Sequence, residues 1–378
     1  MISLLLAHRK ILSFRTPVDS CILVTYDSFI MDTFFLGFLI FIPIAIVAHL
    51  SGISPTWVFF LSAFAIVPLA KFIGEATEEL SSRTSSAVGG LLNATFGNAT
   101  ELIIGIFALH AGLIDVVKAS ITGSIIGNLL LVLGFAMLAG GWNREKQTFN
   151  RTGALASGST LFLALVALIM PAIFLATAPS LQAPIVEHLS VLVSVALLFV
   201  YGASLLFSLH THKHLYTEEI GEYEPKWSTA RSVITLLSAT IAVAWMSDML
   251  VNSIQPLVQS FGWSQMFIGV IVIAIIGNAA EHFSAVTVAI KNRMDLSLNI
   301  AIGSATQMIL LIAPILVLIS LLFGQHMNLV FNTFELVSII LSVVIVNFIV
   351  ADGESNWLEG VQLLAAYAIM GISFFFHP

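Results

Sequence analysis

Residues 97–101 read Gly97-Asn98-Ala99-Thr100-Glu101 and residues 277–281 read Gly277-Asn278-Ala279-Ala280-Glu281, each inside a stretch otherwise apolar enough to cross a bilayer. A carboxylate in the middle of a hydrocarbon span is costly, so two at equivalent places of a duplicated chain point to function. The offset of 180 residues recurs downstream, where Gly123-Ser124 reappears as Gly303-Ser304. The pattern reads as an internal repeat carrying an ion site.

Of the 378 residues around these motifs, 58% are hydrophobic and 9% charged, and the mean hydropathy is +1.02. That leaves too little polar surface to coat a soluble globule. Eleven stretches, near 33–50, 56–74, 87–110, 117–139, 153–176, 185–208, 231–251, 265–289, 296–322, 333–351 and 357–376, are apolar enough to span as helices, a length of roughly 18 to 25 residues. Alternating strands of the outer-membrane barrel kind are absent. The predicted fold class is an all-α polytopic membrane protein of eleven transmembrane helices.

Basic loops stay on the cytoplasmic side. Under the eleven-span reading, Arg9, Lys10, Arg15, Lys71, Arg83, Arg144, Lys146, Arg151, Lys213, Lys226, Arg231, Lys291 and Arg293 fall on one side and only Lys118 on the other. This predicts a cytoplasmic N-terminus and a C-terminus outside. Trp57, Trp142, Trp227, Trp263 and Trp357 sit near predicted span ends, where indoles prefer the headgroup region, and only Trp245 reads deeper.

The single cysteine, Cys21, excludes an intramolecular disulfide and a cysteine-based metal cluster. The net charge of −7 comes partly from one loop and offers no basic patch, so no nucleic-acid partner is expected. Residues 1–30 read as a cytoplasmic tail, a cleaved targeting segment or an upstream extension ahead of Met31.

The predicted organisation is a tail at 1–30, an extra first helix at 31–54, a five-helix repeat at 55–208, a cytoplasmic linker at 209–230 and a second five-helix repeat at 231–378. An odd number of crossings per unit makes the second copy enter from the opposite face, an inverted-topology repeat whose equivalent residues meet at the midplane. The linker carries His210, His212, Lys213, His214, Glu218, Glu219, Glu222 and Glu224. It reads as a solvated segment, the sharper alternative being a cation-sensing helix, since such clusters bind metals.

Within a helix, Asn98 and Glu101 project from one face, as do Asn278 and Glu281. Gly97 and Gly277 precede them and permit a local break that turns backbone carbonyls toward a cavity. Thr100 offers a hydroxyl that Ala280 lacks. In the helices that follow, Ser124 and Asn128 share a face, and so do Ser304 and Gln307. Two carboxylates with amide and hydroxyl oxygens suit a hard divalent cation, Ca²⁺ foremost, and the lack of thiolate or clustered imidazole argues against Zn²⁺ or Cu⁺. Two ionised carboxylates neutralise one divalent ion. When it leaves, the bare charges in low dielectric are strongly unfavourable and protons take its place.

A lone membrane Glu can instead be a helix-packing partner, and Asn, Ser and Gly are common packing residues there. Duplication at a constant offset is what favours the ion site. His282, adjacent to Glu281, points about 100° away and reads as a packed or solvated neighbour, with proton relay a minor alternative. Glu335 opens the tenth span as a solvated helix-end carboxylate. The glycosylation-like triplets at Asn93, Asn98 and Asn150 are coincidental, being intramembrane or cytoplasmic.

The stretches GGLLNATFGNATELI (89–103), GSIIGNLLLVLG (123–134), GNAAEH (277–282), GSATQ (303–307) and DGESNWLEG (352–360) resemble the calcium/proton exchanger family, the cation/proton exchanger branch of the calcium/cation antiporter superfamily. The resemblance covers nearly all of 33–376. It implies one extra helix plus two inverted five-helix repeats, with Glu101 and Glu281 alternately protonated and Ca²⁺-bound. It also implies that Asn98, Asn278, Ser124, Ser304 and Gln307 lie in or beside the pathway. Asn128 fits the first copy, but 180 residues on stands Met308, so Gln307 must substitute. The expectation is a Ca²⁺/H⁺ antiporter working by alternating access, with no cofactor beyond its transported ions and with the lipid bilayer as its setting. A bacterial inner membrane is expected, a vacuolar one the alternative. The other readings are a Mn²⁺/H⁺ or Na⁺/Ca²⁺ exchanger and, disfavoured by the absence of HExxH, an intramembrane metalloenzyme.

Overall fold

The computed structural model describes residues 33, 35–178, 183–212 and 225–377. The tail at 1–30 and the charged part of the linker at 213–224 lie outside the described residues. In chain order the elements are α1 (Phe35–Leu50), α2 (Pro55–Ser81), α3 (Ser86–Phe96), α4 (Ala99–His110), α5 (Ile114–Gly141), β1 (Gln147–Thr148), α6 (Arg151–Thr177) and α7 (Pro184–Thr211). They continue with α8 (Thr229–Asn252), α9 (Ile254–Phe261), α10 (Gln265–Gly277), α11 (Ala279–Ile290), α12 (Met294–Leu322), α13 (Thr333–Ile349), β2 (Glu354–Ser355) and α14 (Trp357–Phe376). Among the described residues seven helices are long and apolar enough to cross a membrane, or eight when the bent pair α10–α11 counts as one span. Three shorter apolar helices, α1, α4 and α13, accompany them.

Local sequence explains the boundaries. Proline at the first position of α2 costs no hydrogen bond, because that N–H has no partner inside a helix anyway. Asn150 caps α6 by accepting from Gly153 N at 3.1 Å, and Ser228 caps α8 by accepting from Arg231 N at 3.2 Å. Asn332 with Glu335, and Asn356 with Glu359, form reciprocal capping boxes at the starts of α13 and α14. Glu335 therefore departs from the solvated helix end expected of it. It is buried, and its second oxygen accepts from Thr122 at 3.4 Å.

The packing comes in matched pairs around α2 and α8, which lie against each other along their lengths. Helix α4 packs on α8 and on α12, while α11 packs on α2 and on α5. Likewise α5 packs on α13 and α14, and α12 on α6 and α7. Buried Leu, Ile, Val and Ala fill these crossings, while α6, α7 and α14 turn most of their apolar surface outward. In a soluble protein so much exposed Leu and Phe would aggregate; toward lipid it is the required surface.

The two ends of the molecule differ in charge. At one end three loops are tied together: β1 pairs antiparallel with β2, Gln147 Nε2 donates to Ala289 O at 2.9 Å, and the Asp295 carboxylate accepts from Asn150 N. Arg144 donates to Ile290 O, Arg151 to Ala351 O, and Lys146 pairs with Glu354 at 2.6 Å. At the end of α2 and ahead of α8, Glu79 accepts from the backbone N–H groups of Lys226 and Trp227, each at 3.0 Å, and Arg83 donates to Trp227 O. This is the basic end. At the other, Lys118 donates to Asn328 Oδ1 and Val330 O, both at 2.8 Å, and His326 meets Glu187.

Candidate ion-binding site

Both repeated motifs break their helices. α3 stops at Phe96 and α4 begins at Ala99; α10 stops at Gly277 and α11 begins at Ala279, with a bend of 60° between the latter two. Asn98 and Asn278 thereby become the residues that precede a helix, where an asparagine side chain ordinarily bonds its own first turn. Neither does so. Each reaches instead into the other half of the chain.

Asn98 Nδ2 donates to Gln307 Oε1 at 2.5 Å, and its Oδ1 accepts from Ser304 Oγ at 3.3 Å. Asn278 Nδ2 donates to Ser124 Oγ at 2.9 Å, and its Oδ1 accepts from Asn128 Nδ2 at 3.0 Å. Asn128 Nδ2 also donates to Ser304 Oγ at 2.9 Å, which closes the chain of bonds. Asn98, Asn128, Asn278, Ser124 and Ser304 are all buried. Asn128 and Gln307 therefore play matching parts although they are 179 residues apart. The α5 helix widens into a π-helical segment at Gly127–Val132 and α12 at Met308–Ile312. The earlier and longer wide turn in α5 accounts for the slip of one residue, and the two helices are back at an offset of 180 by Leu133 and Ala313. π-turns of this kind recur at functional sites.

Glu101 and Glu281 lie in the first turn of α4 and α11, where the positive end of the helix dipole favours a carboxylate. The Glu101 side chain lies against Gly277 of the other motif, and Ser304 and Asn128 stand beside Glu281. Glu101 Oε1 and Oε2, Glu281 Oε2 and Asn128 Oδ1 are buried without a hydrogen-bond partner. Among the described residues no ion pair reaches either glutamate. A buried neutral polar atom left so costs about 1–3 kcal/mol and a charged one more, so these oxygens are open to a proton, a water or a cation.

The two glycines serve different purposes. A Cβ at Gly277 would stand 3.2 Å from Glu101 Cγ, whereas one at Gly97 would strike the Asn93 carbonyl of its own chain. Gly277 makes room for the facing glutamate; Gly97 permits the tight approach at the break. At the breaks, Asn98 O accepts from Leu102 N, Asn278 O from His282 N, and Ala274 O from Asn278. His282 is half-buried, with its Nε2 buried and unpartnered.

The sodium/calcium exchanger protein family model matches the chain twice, over residues 54–210 and 231–376. The chain is 47% identical over 365 residues to the Ca(2+)/H(+) antiporter of Aphanothece halophytica, covering 92% of this chain and 97% of that one. It is 44% identical over 345 residues to the Ca(2+)/H(+) antiporter ChaA of Bacillus subtilis (strain 168), with 88% and 96% covered. The solved structure of native YfkE superposes with a TM-score of 0.80 at 40% identity, covering 90% of this chain and all (100%) of that one. These relatives are transporters rather than enzymes, and together with the apolar helices they make this a membrane protein. The chain belongs to the sodium/calcium exchanger protein family.

Proposed function

We propose that the chain is a secondary active antiporter that exchanges Ca²⁺ for H⁺ by alternating access, with Glu101 and Glu281 binding either cargo in turn. The observation that carries this reading is the set of four partnerless buried oxygens at the meeting of the two motifs. All are oxygens, two groups are carboxylates, and the flanking amides and hydroxyls already bond one another across the halves. Ca²⁺ takes such ligands in flexible number. Two protons replace it without leaving bare charge in low dielectric. The two relatives, both Ca(2+)/H(+) antiporters by name, support the same pair of ions.

The finer architecture belongs to this proposal. The eight spans and three shorter apolar helices, with α4 crossing together with α3, support the eleven crossings of the sequence reading. The double match to one family model and the paired packing of α2–α7 with α8–α14 support two inverted repeats at 55–208 and 231–378, preceded by an extra helix at 31–54. Clustering of Arg83, Arg144, Lys146 and Arg151 at one end supports a cytoplasmic basic end. The Bacillus subtilis relative supports a bacterial plasma membrane, with a vacuolar membrane as the alternative.

Everted membrane vesicles test the proposal. Acidifying the lumen drives Ca²⁺ uptake, and Glu101→Gln or Glu281→Gln abolishes it. Full uptake in both variants contradicts the proposal.

A further inference from the structure

The halves are alike at the centre and unlike at the ends. The outer half-helix α10 is seated on α5: a Cβ at Gly123 would collide with the backbone of Val270, and one at Gly269 with Ala119. The residues 180 positions away are Gly303 for Gly123, Gly90 for Val270 and Gly89 for Gly269. The corresponding half-helix is α3, at the basic end, and the corresponding seat is on α12. That seat is open, because nothing lies within 4 Å of a Cβ built at Gly303. Helix α3 packs instead on α2, α4 and α7. The face of Gly90 is covered by Leu209, whose side chain lies where a Cβ at 90 would go. Leu209 sits in the π-helical end of α7, Phe207–Thr211.

We infer that Gly303 is the vacant seat for the Gly89–Gly90 face of α3, and that Leu209 is the wedge that holds α3 off it. The inference rests on the inverted-repeat reading proposed above and deepens it by naming the contact that closes the basic end. The occupied contact fixes what the vacant one must look like. Two backbones crossing at glycine allow the closest helix approach available, in a membrane protein an effective source of packing attraction. In the structure the α10 side is closed and the α3 side open, so the site faces the basic end. In the opposite state Leu209 withdraws, Gly90 meets Gly303, and the contact of Val270 with Gly123 opens. Leu209, Gly90 and Gly303 are thus positioning residues for exchange. They touch no ion.

Gly303→Val tests the seat. A side chain there meets nothing in the structure, so Ca²⁺ binding to the purified full chain, measured by calorimetry, is retained. Ca²⁺ uptake into proteoliposomes falls by at least about tenfold, because the added branches overpack a close helix crossing. Wild-type uptake in Gly303→Val overturns the inference. A second measurement decides the matter if that variant does not fold, or if the wild type carries no Ca²⁺. Cys21 is the sole native cysteine, so Gly90→Cys and Gly303→Cys are introduced with Cys21→Ser and Leu209→Ala. Oxidation by copper phenanthroline in membranes gives an intramolecular disulfide, scored by protection of both thiols from alkylation. Absence of that cross-link with and without Ca²⁺, at low and at high pH, overturns the inference. This readout reports geometry alone, so it separates a wrong seat from a wrong cargo.

Discussion

The centre of the molecule and its two ends obey different rules. At the centre, Asn98 with Ser304 and Gln307 mirrors Asn278 with Ser124 and Asn128 partner for partner, with donor and acceptor exchanged. At the ends the correspondence fails, since α10 is seated on α5 while α3 stands away from α12. A polar cluster can stay intact only if its partners move little, because each buried group that loses its partner costs about 1–3 kcal/mol. Apolar glycine crossings impose no such penalty on separation. On the proposed reading of alternating access, the difference makes the central polar cluster the fixed point and the half-helices the parts that shift.

The sharpest way to break the centre is at the carboxylates. Glu101→Gln or Glu281→Gln removes the proton-exchanging group while keeping its shape. ΔpH-driven Ca²⁺ uptake is expected to fall by about 100-fold or more, equivalent to about 2.7 kcal/mol of transition-state stabilisation. The amides come next. Asn98→Ala strands Gln307 and leaves Ser304 only its bond from Asn128, and Asn278→Ala strands Ser124 and leaves Asn128 only its bond to Ser304. Initial-rate measurements should show the Ca²⁺ concentration for half-maximal uptake rising about tenfold in each, and near-equal effects in the two variants sharpen the claim of central symmetry. Gly277→Ala is smaller, a rise of about threefold in the same quantity, because its Cβ presses on a flexible glutamate rather than on backbone. The smallest effect is expected at the basic end, where Lys146 and Glu354 form an exposed pair. Glu354→Gln should leave uptake and the thermal midpoint unchanged, as exposed ion pairs contribute little. Lys146 titrates higher than usual in the native chain, since Glu354 bonds and attracts its ammonium. Glu354→Gln is therefore expected to bring its NMR-detected titration back down.

Much of this was legible in the chain. Hydropathy placed helix spans within a few residues of those observed, as at 357–376 for α14, because crossing hydrocarbon demands a fixed length of apolar helix. The offset of 180 brought together Glu101, Glu281, Asn98, Asn278, Ser124 and Ser304. The matching of Asn128 to Gln307 was obscured by one residue, because a π-turn changes register without any signature in side-chain periodicity. Glycine at 97 and 277 permits a break but does not say which way the freed carbonyls turn. DGESNWLEG was visible only as a likeness. Of its structural roles, boxing the start of α14 with Asn356 and Glu359 is local, whereas pairing 354–355 with 147–148 depends on a loop two hundred residues earlier. The stance of α3 was beyond sequence altogether, since the same residues must serve both arrangements.

The most direct test of the central claim is paired measurement of Ca²⁺ and proton flux in proteoliposomes, with and without Na⁺. The account predicts ΔpH-driven Ca²⁺ uptake with counterflow of protons, indifferent to Na⁺ and lost in Glu101→Gln. Uptake that requires a Na⁺ gradient and ignores ΔpH, or that survives both glutamate substitutions, would contradict it.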